Sequence, residues 1–112
     1  MNFDKNLVGG SSDMLLLHLL RSRDMYGYEI IRELRRRSDD RFNFKEGTLY
    51  PILHKLEVRG YVKSYDYTCE NGCHRNYYTI TDEGRQKLDS EIQKWREFTP
   101  CVEKVLAEPA LV

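Results

Sequence analysis

Three histidines and three cysteines carry the most reactive side-chain chemistry in this chain of 112 residues. His18, His54 and His74 have no nucleophile or paired carboxylate at a recognisable catalytic spacing, so no enzyme active site is expected. Cys69 and Cys73 flank Asn71-Gly72, with Glu70 and His74 beside them. A zinc or thiol sensor could be assembled there, but no second pair of ligands is evident. The third cysteine, Cys101, makes the count odd and leaves no disulfide framework. Plain thiols are the simpler reading, and neither a metal nor a cofactor is expected.

The remaining chemistry is hydrogen bonding and charge. Between 44 and 61, Leu49, Ile52, Leu53 and Leu56 recur at the three/four spacing of one helix face. The other face carries Tyr50, His54, Lys55 and Glu57, side chains long enough to reach a partner. Gly60 reads as the C-terminal stop, with Arg59 in the last turn where a cation suits the helix dipole. Pro51 lacks a backbone donor, so Thr48 is the expected N-cap; a start near Glu46 would require a kink. A short helix with an apolar back and a Thr48, Tyr50, Pro51, His54 and Lys55 front suits the major groove of double-stranded DNA. The plainer alternative is an amphipathic surface helix.

The elements around this helix follow from pattern. Residues 1–10 read as a flexible N-terminal arm. Ser11 to Asp13 offer N-caps for a helix through Leu20 that is apolar apart from His18, expected to be an interior, hydrogen-bonded histidine. A second helix opens at Tyr26-Gly27-Tyr28-Glu29, with Tyr28, Ile30, Ile31 and Leu34 inward and Arg32, Arg35, Arg36 and Arg37 outward or at its end. After Gly60 the period changes to two: Tyr61 to Tyr67 and Asn76 to Ile80 alternate, joined by Asn71-Gly72, a strong hairpin signal. A hairpin after a helix-turn-helix is a wing, and Arg75 near its tip could meet a phosphate or the minor groove. Thr81 caps a last helix in which Leu88, Ile92, Trp95, Thr99, Val102 and Leu106 step by four and three. That seam needs a partner helix, so a homodimer is expected. Pro100 should kink or divide this helix. The fold class is therefore mainly α with a small β-hairpin: a winged helix-turn-helix over 11–80 and a C-terminal dimerisation helix over 81–112.

Composition agrees. Forty per cent of residues are apolar and 32 per cent charged, with a net charge of zero. Residues 21–63 hold eleven Lys/Arg against seven Asp/Glu, and residues 64–112 hold six against nine. A basic middle of +4 suits phosphate and an acidic tail of −3 something else. No apolar run approaches a membrane span and no signal peptide is visible, so a cytoplasmic protein is expected.

Tyr26-Gly27-Tyr28-Glu29-Ile30, Gly47-Thr48-Leu49-Tyr50-Pro51-Ile52-Leu53, Leu56-Glu57-x-x-Gly60 and Arg75-x-Tyr77-Tyr78-x-Ile80-Thr81-x-x-Gly84 occur in this order. Together they resemble the PadR family of transcriptional regulators, from about Asp13 to about Leu106. The resemblance implies a dimeric winged-helix repressor on a pseudo-palindromic operator, released by a small molecule, and the single C-terminal helix is similar to the smaller branch. Drug-sensing members carry a tryptophan midway along the last helix, facing its symmetry mate; Trp95 matches it, and Met14, Leu17 and Phe98 match the rest of that pocket. Two Trp95 rings brought together at a dimer axis would suit a planar aromatic effector, although Trp95 could equally be dimer packing. Two rival readings stay open: a winged helix that binds only protein, and a thiol or metal sensor at Cys69 and Cys73.

Overall fold

A computed structural model describes residues 10–110 of the chain. The arm expected over 1–10 lies outside the described residues, Gly10 excepted. Within them the order is α1 (Ser12–Ser22), β1 (Met25–Tyr26), α2 (Gly27–Arg37), α3 (Glu46–Val58), β2 (Val62–Thr68), β3 (His74–Ile80) and α4 (Asp82–Ala107). Four helices and a small antiparallel sheet ordered β1-β3-β2 make a winged helix.

Helix α1 owes its place to four leucines. At 3.6 residues per turn, Leu16, Leu17, Leu19 and Leu20 fall within an arc of about 160°, and all four are buried. His18 falls in the middle of the opposite arc. It is exposed, with Nδ1 3.3 Å from Arg21 Nη2, rather than interior as expected. Ile30 and Leu34 of α2, Phe44 of the following turn and Leu49, Leu53 and Leu56 of α3 close over these leucines. Tyr28, expected inward, is exposed and lies under Arg32, whose Cζ is 5.7 Å from the ring centroid.

Helix α3 starts at Glu46 with Lys45 as N-cap, one turn before the expected Thr48. Lys45 O accepts from both Thr48 N and Leu49 N, at 3.0 and 2.9 Å, so Thr48 already lies inside the first turn. Its C-terminus matches the sequence reading. Tyr61 N donates to Leu56 O at 2.9 Å and Gly60 N to Glu57 O at 3.0 Å, with Gly60 at φ +80°. Glycine takes this left-handed conformation without the Cβ penalty of other residues.

That turn fixes α4. Thr81 Oγ1 donates to Gly60 O at 2.6 Å and accepts from Gly84 N at 3.0 Å. Gly84 packs so close to the Tyr61 carbonyl that no Cβ would fit. Leu88, assigned by pattern to the dimer seam, is fully buried in the protomer's own core. The first two turns of α4 are needed to cover α1, so the uncovered seam begins only at half-buried Ile92. From Gln93 onward almost every side chain is exposed, and the helix runs through Pro100 without dividing. No helix among the described residues is long and apolar enough to cross a membrane.

Candidate nucleic-acid interface

The front of α3 is an outward surface on a rigidly backed helix. Leu49, Leu53 and Leu56 are fully buried, whereas Tyr50, Pro51 and His54 are exposed and Thr48 half-exposed. Tyr50 is the best anchored of them. Its hydroxyl lies where a Cβ on Gly27 would come within 2.5 Å, so the first residue of α2 leaves room for the phenol. Lys55 departs from the group: its Nζ is 3.1 Å from Asp13 Oδ1, an ion pair back to α1.

The wing is the second part. β2 and β3 pair from Val62↔Ile80 to Thr68↔His74, with Tyr65 opposite Tyr77 and Tyr67 opposite Arg75. Because side chains alternate across a strand, Val62, Tyr78 and Ile80 share the core face. Tyr65, Tyr67, Arg75 and Tyr77 share the outer one. Strand β1 extends that outer face, since Tyr26 pairs with Tyr77. The rings form a continuous array, with centroid separations of 5.5 Å for Tyr26–Tyr77 and 5.7 Å for Tyr65–Tyr77 and Tyr67–Tyr77. Tyr65 donates its hydroxyl hydrogen to Asp24 Oδ2 at 2.8 Å, which holds its pKa above the ordinary value. The Arg75 guanidinium carbon lies 4.6 Å from the Tyr26 ring centroid. Arg75 thus belongs to the outer face of the wing.

Sequence reasoning missed this tyrosine array. Its signal was present in the i, i+2 spacing of Tyr65 and Tyr67, but β1 has only two residues and its pairing is a tertiary event. At the wing tip Cys69 and Cys73 are joined by a disulfide, with Cα atoms 5.2 Å apart, where free thiols were expected. Cys69 N donates to Cys73 O at 2.8 Å and Gly72 takes φ +86°, so the tip is a tight turn that brings the two sulfurs together. No metal-binding cluster of His, Cys, Asp and Glu occurs among the described residues.

A cleft of about 290 Å³ opens between α1 and α4, lined by Gly10, Ser11, Met14, Glu91, Lys94, Trp95 and Phe98. It gathers three of the four residues expected of an effector pocket. The fourth, Leu17, is fully buried in the core and is not among the residues lining the cleft. Glu91, which the sequence did not single out, accepts from Lys87 Nζ at 2.9 Å with Lys94 Nζ 3.8 Å away. Those partners hold its carboxyl below the ordinary carboxylate range, so it is ionised at neutral pH. Further along α4, Trp95 is 49 per cent exposed, Phe98 61 per cent and Leu106 70 per cent, with Val102 also exposed.

Comparison with known proteins agrees with this geometry. Residues 16–90 match the model of the transcriptional regulator PadR-like family. A protein of Lysinibacillus sphaericus is 32 per cent identical over 98 residues, which is 88 per cent of this chain and 90 per cent of that one. A transcriptional regulator from Clostridium thermocellum superposes with a TM-score of 0.82 at 34 per cent identity, covering 89 per cent of this chain and 97 per cent of the other. A PadR family transcription regulator from Clostridium difficile gives 0.75 at 34 per cent identity, covering 86 and 98 per cent.

Proposed function

Since the chain belongs to the PadR-like family of transcriptional regulators, DNA-binding proteins without catalytic activity, we propose that it is a cytoplasmic homodimeric repressor released from its operator by a planar aromatic ligand. One observation carries the DNA half of this reading. Helix α3 buries Leu49, Leu53 and Leu56 completely and presents Thr48, Tyr50, Pro51 and His54 outward. Thr, Tyr and His side chains can reach base edges and phosphates, and Arg75 on the wing is a cation without a carboxylate partner among the described residues. Lys55 contributes to DNA only if it exchanges Asp13 for a phosphate.

Dimerisation is supported by the uncovered part of α4. Ile92, Trp95, Val102 and Leu106 continue the four/three spacing, and Phe98 flanks them on a helix that leaves its own domain. Exposed apolar residues at that spacing suit a second copy of the same helix. The effector reading rests on Met14, Trp95 and Phe98 around the cleft. Trp95 offers a flat apolar face and Met14 an adaptable thioether, which together suit a planar aromatic compound. To shift the protein off DNA, such a ligand must bind the DNA-free arrangement better than the bound one.

Genomic DNA captured by the protein and sequenced should yield a recurring pseudo-palindrome, and its absence would refute the operator reading. Binding that is insensitive to salt would instead favour a protein-only module, because DNA contacts release counterions. Trp95 is the only tryptophan, so saturable quenching by planar aromatic compounds that is lost in Trp95→Ala tests the cleft. The Cys69–Cys73 disulfide favours a second reading as a thiol-responsive regulator. Operator affinity that changes on reduction by a small dithiol in the wild type, but not in Cys69→Ser, would support it.

A further inference from the structure

We infer that Tyr26 is a positioning residue for Arg75, holding its guanidinium at the DNA surface; this rests on the reading of Arg75 as a phosphate contact. Tyr26 is fixed independently of Arg75. Its backbone pairs with Tyr77 across the sheet, and its amide donates to Glu29 Oε1 at 3.3 Å. Glu29 is held in turn by Arg23, at 2.8 Å. The ring is packed edge-on against Tyr77. Arg75 lies over the ring at 4.6 Å and has no ion pair among the described residues.

The chemistry of that contact suits an arginine awaiting an anion. A carboxylate partner would neutralise the guanidinium and occupy its N–H edge. An aromatic face holds the cation by its quadrupole and leaves the in-plane donors free for two phosphate oxygens. Arginine otherwise carries substantial rotamer freedom, which a phosphate would have to freeze on binding. A ring rigidly held by β1 removes part of that freedom beforehand. Tyr26 also precedes Gly27, the residue against which Tyr50 rests.

The test is a double-mutant cycle on a fluorescently labelled mixed-sequence DNA duplex, titrated over a range of salt. Arg75→Ala should weaken binding and lower the log–log salt slope by about one. Tyr26→Phe keeps the ring and should bind as the wild type, which separates positioning from a direct hydroxyl contact. Tyr26→Leu should weaken binding by about two- to fivefold, the range of an exposed cation–π contact. It should have no further effect once Arg75 is alanine. Effects of Tyr26→Leu and Arg75→Ala that simply multiply would overturn the positioning role while leaving Arg75 as a DNA contact. Unchanged affinity and slope in Arg75→Ala would overturn both. Should Tyr26→Leu fold poorly, the Arg75 side-chain Nε–H resonance in free Tyr26→Phe protein supplies the second readout. A ring-current shift there, matching the wild type, is expected, and its absence from the wild type would refute the contact.

Discussion

The Tyr50 phenol occupies the space that a side chain on Gly27 would need: a Cβ there would lie 2.5 Å from the hydroxyl oxygen and 2.9 Å from Cζ. Helix α3 and the start of α2 are therefore fitted to each other through an absent methyl group. Gly27→Ala should be tolerated by the fold, because only the outer end of the Tyr50 side chain stands in the way of the added Cβ. It should nevertheless push the Tyr50 ring away and weaken DNA binding by about two- to tenfold, the net worth of one hydrogen bond. Thermal melting and anisotropy titration of the same variant check the two outcomes. Equal DNA affinity in Gly27→Ala would mean that the position of Tyr50 is immaterial.

Two substitutions on α4 separate core from seam. Leu88→Ala should destabilise the protomer by about 2–5 kcal/mol, as buried leucine truncations do, since Leu88 is fully buried. Val102→Asp should leave the winged-helix domain folded and dissociate the dimer, because Val102 is exposed within the protomer. Sedimentation at micromolar concentration and urea denaturation distinguish these outcomes. A Val102→Asp protein that remains dimeric would show that this part of α4 does not hold the two copies together.

The pattern along α4 made that helix legible but not the division between its two roles. Leu88 and Ile92 are a single step apart in one periodic run, and only the position of α1 decides which is core. The same ambiguity explains Leu17 and His18. A nearly all-apolar helix shows that it is buried without showing which arc faces inward. By contrast the apolar face of α3, its Gly60 stop, the Thr81 cap and the hairpin were legible, because each depends on a local pattern, whereas Thr48 was misread as the α3 cap. Of the candidate interface, the sequence pointed to the front of α3 and to Arg75, but β1 and the tyrosine array depend on pairing between distant residues. C-x-x-x-C spacing alone did not reveal the disulfide; the tight turn at Gly72 did.

Acid should weaken the protein through α2. Hydrogen bonds from Arg36, at 2.6 Å, and from Arg37 lower the Glu33 pKa from 4.5 to about 2. A depressed folded-state pKa stabilises the fold above the unfolded value and loses that contribution as pH falls. The Glu33 share of stability is therefore complete above pH 4.5 and disappears as pH falls towards 2. Urea midpoints across that window should fall less steeply in Glu33→Gln than in the wild type. Parallel curves would contradict the assignment.

In the proposed complex two α3–wing surfaces, related by the dimer axis, read one stretch of duplex. Hydroxyl-radical footprinting on the DNA captured from the genome tests it most directly. Wild-type protein should protect two patches on one face of the duplex, with centres about 10 base pairs apart or a multiple of that. Tyr50→Ala should lose both patches together while remaining dimeric. One patch, protection without helical phasing, or an unchanged footprint with Tyr50→Ala would contradict it.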